Sequence, residues 1–172
     1  MNEVLVEYIR YTRWATLTTL DACSVIDDED LRRDLRTSYQ SVWATLAHIY
    51  QSDCVWWNRL QSDGAARASH FEPGSSIEEL RERWVPVLDG FVRWAESQSD
   101  AGWAEELEYV TSRGQAFRQP IWEIALHVVN HDTLHRGQIL SMFRQLDRVP
   151  TGVDLIFYYR EKSSAKPDPA KA

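Results

Sequence analysis

Only two cysteines, Cys23 and Cys54, occur in the 172 residues. Two thiols so far apart do not make a disulfide framework, and both are expected to be buried free thiols. Long apolar runs are also missing: none approaches the roughly 20 residues that a membrane span requires. Positive charge is scarce, with 19 Lys and Arg against 26 Asp and Glu, a net charge of −7. Binding along a phosphate backbone needs concentrated Lys and Arg, so nucleic acid is excluded as the main partner. The opening stretch MNEVLVEYIRYTRWA carries acidic residues early and has no signal-peptide pattern. These absences together predict a cytoplasmic protein that engages neither a membrane nor nucleic acid.

What the chain has is apolar bulk. Its apolar fraction is 44% and its charged fraction 26%, including eight tryptophans, the balance of a soluble globular domain. Each aromatic can hide roughly 150–250 Å² of surface, and the length suits one domain with its own core.

Periodicity predicts helices. Val4, Tyr8, Tyr11 and Ala15 follow at three- and four-residue spacing, widened by Leu5 and Ile9, for a first helix over 3–22. A charged connection, 27–36, reads as a solvated loop or helical turn. A second helix follows, capped by Ser38 or Ser41 and ending near Leu60. After the Gly-, Ser- and Ala-rich stretch 61–76, where His70 is expected to be exposed, Ser75 and Ser76 precede Glu78 and Glu79 by three residues. That is a capping-box signature. The third helix runs to about Ser97, with Pro86 expected to kink it. LEYVTSRGQAFRQ reads as a hairpin turning at Arg113-Gly114. Pro120 suits the first position of a fourth helix reaching about Leu146. A short helix or arm follows Pro150. The expected fold is all-α: a four-helix bundle with a short β-hairpin insertion before the last long helix. It forms a single domain over 1–160, with a disordered tail over 161–172.

HVVNHDTLHRGQ, residues 127–138, holds three of the five histidines, four residues apart, and residues at that spacing share a helix face. At about 100° per residue, His135 falls near the middle of the apolar stripe of the fourth helix. His131 lies inside its edge and His127 borders it. Two unpaired histidines in an apolar interior are costly, and a metal shared by residues i and i+4 resolves that cost. The glutamate of a zinc-protease HExxH is absent, which argues against that chemistry. On the second helix, His48 lies on a strip of small residues (Ser41, Ala44, Thr45, Ser52, Val55) with space beside it for an ion. His48, His131 and His135 are therefore the predicted ligands. Three neutral imidazoles suit zinc, nickel, iron or copper over magnesium or calcium. With no obvious fourth ligand the site reads as open, hence catalytic in type. Around it, Gln138 and His127 are candidate second contacts, Arg59 a candidate site for an anionic substrate, and Trp56 a candidate pocket wall. Arg136 is expected to project away and brace the bundle by salt bridges.

Two segments, TLAHIYQSDCVWWNRL and especially NHDTLHRGQIL, make the chain resemble the DinB/YfiT-like superfamily of bacterial metal-binding four-helix bundles. The resemblance runs from the first helix to about Arg160. It implies a metal triad of one histidine from the second helix and the two of HxxxHRGQ, which map onto His48, His131 and His135. It also implies a divalent transition metal (Zn, Ni or Fe), with a low-molecular-weight thiol as co-substrate in the thiol-dependent members, and it is compatible with a homodimer. The function expected is a metal-dependent enzyme of thiol S-transferase or hydrolase type acting on a small molecule. The alternative is a non-catalytic metal-binding stress-response bundle whose metal is structural or sensory.

Overall fold

The computed structural model describes residues 2–62 and 71–164. Seven helices occur among them: α1 (Asn2–Cys23), α2 (Asp28–Arg32), α3 (Val42–Gln61), α4 (Ile77–Ser97), α5 (Asp100–Ala104), α6 (Ile121–Gln145) and α7 (Leu155–Ser164). One antiparallel hairpin, β1 (Glu106–Val110) with β2 (Ala116–Pro120), enters directly before α6. The long helices α1, α3, α4 and α6 form a four-helix bundle. Helix α1 packs on α4 and α6, and α3 packs on the same two from the other side.

The local signals that start these helices act as expected from the sequence. Ser41 caps α3 by accepting from the Ala44 amide, and Ser76 caps α4 by accepting from the Glu79 amide. The Glu79 carboxylate reaches back to the Ser75 amide at 2.8 Å, so orphan donors at this terminus are satisfied in both directions. Helix α4 continues unbroken through Pro86. Pro120 stands at the N-cap of α6, one position earlier than predicted. The hairpin turns through Gly114 at φ 78°, a conformation glycine adopts without the steric cost of a Cβ.

Two features differ from expectation. Val4 is exposed, at the edge of a stripe whose predicted members Leu5, Ile9, Tyr11 and Ala15 are buried. Helix α7 continues through residues 161–164, which the sequence reading placed in a disordered tail. Its Tyr158 is buried in a small cluster with Tyr11, Ala15 and Val153, and Lys162 pairs with Glu7 at 2.5 Å. Those contacts anchor the helix beyond Arg160. Residues 165–172, and His70, lie outside the described residues.

The core is divided. One apolar cluster surrounds Leu46, Trp84 and Ile139, and a second surrounds Ile9, Trp103 and Ile124. Between them the buried side chains are polar: Thr12 and Thr16 on α1, Asp53 on α3, and Asp132, His135 and Arg136 on α6. This polar waist crosses the bundle where α3 meets α6, and the candidate site opens from it.

Candidate metal centre

Helices α3 and α6 bring three of the five histidines together. One ring nitrogen from each of His48, His131 and His135 lies within 4.8 Å of the others, and Nε2 of His48 is 2.9 Å from Nε2 of His131. Two nitrogens bound to one zinc ion at about 2.0–2.1 Å lie roughly 3 Å apart. The cluster is thus close to the spacing that a single ion imposes. His135 is buried, whereas His48 and His131 are partly exposed, so one side of the cluster faces outward.

Protonation favours ligation. His48 is pushed down to about 4, chiefly by burial and then by its two histidine neighbours. Burial also lowers His131 and His135. All three imidazoles are therefore neutral at pH 7 and each offers a lone pair. Neighbours orient two of the rings. The Nδ1 of His135 donates to Gln138 Oε1 at 2.8 Å, which leaves its lone pair on Nε2. The Nδ1 of His131 lies 3.5 Å from Asp132 Oδ1. Ring orientation by such partners is what tunes imidazole ligands in metal sites.

The other candidates fall at graded distances. His127 is exposed; its ring lies 5.9 Å from His131 and edge-on to Trp56 at 5.4 Å. Trp56 thereby extends the histidine row toward the hairpin. Arg59 is farther along, buried, with its guanidinium over the rings of Trp56 and Tyr109 at 4.6 and 5.0 Å. It donates to the Val110 carbonyl at 2.8 Å, tying α3 to the hairpin. Cys23 and Cys54 are free and buried, and burial pushes both thiols up to about 12. Neither is a nucleophile at neutral pH.

Behind the histidines lies a second cluster that the sequence reading did not assemble. Asp53 and Asp132 are buried carboxyls on α3 and α6, and Arg136 is buried beside them, 3.6 Å from Asp132. Arg136 also donates to Thr16 at 3.2 Å and Thr133 at 3.1 Å, bracing α1 against α6. Asp53 accepts from the Trp84 indole at 2.7 Å. Burial pushes both carboxyls up, Asp53 further because Asp132 faces it; Asp132 rises to about 7, with Arg136 opposing part of the effect of burial. The pair therefore holds protons to higher pH than exposed carboxyls do, Asp53 more firmly than Asp132.

Sequence reasoning also missed Tyr39, in the connection before α3. Its hydroxyl lies 3.0 Å from His48 Nε2, and its ring stacks on His48 at 4.1 Å with 19° between planes. No helical or strand period passes through this residue, so no pattern signals its place.

A helical bundle with a hairpin ahead of its last long helix, and three converging imidazoles between its second and last long helices that could hold an ion, defines the class of protein. The DinB family model matches residues 1–168, and the chain belongs to that family. It is 22% identical to the protein DinB of Bacillus subtilis (strain 168) over 165 residues, 92% of this chain and 95% of that protein. The crystal structure of a DinB-like protein from Bacillus cereus ATCC 10987 has the same fold. It superposes with a TM-score of 0.64 at 18% identity, covering 86% of this chain and 95% of that one. Among the described residues, no helix is long and apolar enough to cross a membrane.

Proposed function

We propose that this protein is a metal-dependent enzyme of thiol S-transferase or hydrolase type. His48, His131 and His135 would hold one divalent transition ion, zinc, nickel or iron, and leave a position open for a small thiol or water. The observation that carries this reading is the convergence of three neutral imidazoles from two helices on one outward-facing point. When bound, such an ion lowers the pKa of a thiol or water beside it and so supplies a nucleophile at neutral pH.

The chain's own residues prepare that chemistry. Gln138 keeps the proton of His135 on Nδ1, so its Nε2 stays available. Burial raises the cost of protonating any of the three rings. The row from His127 to Trp56 and Arg59 offers a small-molecule substrate an aromatic surface, with a cation at its far end for an anionic group. A cytoplasmic setting, where small thiols stay reduced, suits the reading, as does a homodimer that leaves this face free.

One observation favours a second reading, a non-catalytic stress-response bundle. The triad joins α3 to α6 at the waist where the apolar core is interrupted, so a metal there would clamp the two helices. The test is metal content per chain by inductively coupled plasma mass spectrometry, in wild type, His48→Ala and His131→Ala. About one transition metal in wild type, lost from both variants, is expected; removal of one ligand among three or four costs on the order of a hundredfold in affinity. Absence of metal after reconstitution with zinc, nickel and iron would leave the cluster a hydrogen-bonded core. Thiol-transfer and ester-hydrolysis assays on the loaded protein then separate the enzyme from the clamp. A large fall in melting temperature on metal removal, with no turnover, selects the clamp.

A further inference from the structure

The segment from Arg33 to Ser41 is shaped around one side chain. It contains two non-glycine residues with positive φ, Arg36 at 55° and Gln40 at 66°, a region that L side chains seldom adopt. Gln40 is the residue directly after Tyr39. The backbone is held in this shape by its own hydrogen bonds: Leu35 N to Gln40 O at 2.7 Å, Gln40 N to Thr37 O at 3.0 Å, and Ser41 N to Tyr39 O at 2.7 Å. Thr37 anchors it to α6 through the Met142 sulfur at 3.7 Å. Backbone strain that the surroundings enforce is a recurrent mark of a positioned functional group.

The group it positions is the Tyr39 phenol. Its ring touches two of the three imidazoles, face to face with His48 and edge-on to His135 at 5.3 Å. The direction of its oxygen matters more. A metal ligand uses the lone pair in the plane of its imidazole ring. A phenol stacked within 19° of that plane carries its oxygen to one side of it, although that oxygen is only 3.0 Å from Nε2. The hydroxyl thus lies beside the lone pair of His48 without occupying its axis. It can donate to a molecule seated next to His48, while His48 remains free to ligate.

We propose that the Tyr39 hydroxyl is the hydrogen-bond donor to the sulfur of a thiol bound at the open position of the histidine site. The proposal rests on the metal-centre reading above and adds a residue to it. A neutral phenol donating to an anionic sulfur makes a charge-assisted hydrogen bond, so Tyr39 favours the ionised thiol over the neutral one. It assigns Tyr39 contact with the co-substrate and leaves the metal to the three histidines.

The test uses the cobalt(II)-loaded full chain, wild type against Tyr39→Phe, which keeps the stacked ring and removes the oxygen. Cobalt affinity and the visible d–d spectrum report the ligand set. Titration with 2-mercaptoethanol, followed by the sulfur-to-cobalt charge-transfer band, reports the open position. Expected for Tyr39→Phe is an unchanged visible spectrum, cobalt affinity within about threefold of wild type, and thiol binding weakened about tenfold, the size of one hydrogen bond to a charged group. Thiol affinity within twofold of wild type overturns the proposal. So does a changed d–d spectrum with a large loss of cobalt affinity, which would make Tyr39 a ligand. Wild type that takes up cobalt but no thiol overturns it and leaves the metal centre standing. Wild type that takes up no cobalt removes both readings before Tyr39 is altered.

Discussion

Two polar clusters meet on the α3–α6 seam, and they are built from neighbouring residues. His131 precedes Asp132 and His135 precedes Arg136, so one helix feeds both, with a turn of about 100° between them. The inner cluster is sealed: Asp132 is 0% and Arg136 2% exposed. Its charges are opposite, and Trp84, Thr16 and Thr133 supply further partners. The outer cluster is partly open and made of like groups, three neutral imidazoles with a ring nitrogen of each within 4.8 Å of the others. The fold accounts for most of the first, since burying a cation beside an anion is how buried charge is tolerated, although Asp53 Oδ1, Asp132 Oδ2 and Arg136 Nε make no hydrogen bond among the described residues. It does not account for the second: one ring can donate to another, as between His48 and His131, but three neutral imidazoles converging on one point satisfy one another less fully than a shared cation would. A sealed cluster of opposite charges is built into the fold; like groups that converge at a partly open face point to a ligand.

The largest expected effect breaks the inner cluster. Arg136→Met leaves the buried Asp53–Asp132 pair without its cation and should cost about 3–5 kcal/mol of stability at pH 7, read as a lower urea midpoint. His131→Ala, in the metal-free protein, should cost only about 1 kcal/mol. Equal losses from both would erase the distinction between the clusters.

A smaller effect should appear at the outer cluster alone. Gln138→Ala frees the His135 ring to rotate and to change tautomer. Metal affinity should fall about ten- to a hundredfold, measured by competition with a chelator. Metal-free stability should stay within about 0.5 kcal/mol of wild type. A fall in stability without a fall in affinity would make Gln138 part of the bundle's bracing.

The two clusters were also unequally legible. Each long helix announces itself by a 3.6-residue apolar stripe and by caps at Ser41 and Ser76. The histidines can be placed on a common face because that placement is local to α6. Joining them to His48 needed only a helix with small residues around that histidine. Asp53 carries no such mark: its meaning depends on Asp132, Arg136 and Trp84, which reach it from two other helices. Tyr39 sits where the backbone leaves any regular period, so only tertiary contact reveals it. The five-residue α5 is too short to show a period, and the polar run 161–164 conceals the last turn of α7, whose anchors are Tyr158 and Lys162.

Acid should separate the clusters more gently, because they titrate in opposite senses. The histidines are lowered in the folded chain, His48 to about 4, whereas they protonate near 6.5 when unfolded. Below that value the unfolded chain binds more protons, so this stabilising contribution is intact above about pH 6.5 and lost as pH falls toward 4. Asp53 and Asp132 are raised, so the folded chain holds protons that the unfolded chain releases near pH 4. Their contribution is intact at low pH and lost as pH rises toward 7. Metal-free wild type should therefore show a shallow rise in stability between pH 4.5 and 7. Asp53→Asn replaces the protonated carboxyl by a neutral amide that can still accept from Trp84 and donate to Asp132. It removes much of the opposing term, so its urea midpoint should match wild type near pH 5, exceed it by pH 8, and rise more steeply between. Parallel curves for the two proteins would mean that Asp53 carries no proton at neutral pH, and the inner cluster would then be two anions held by a single cation.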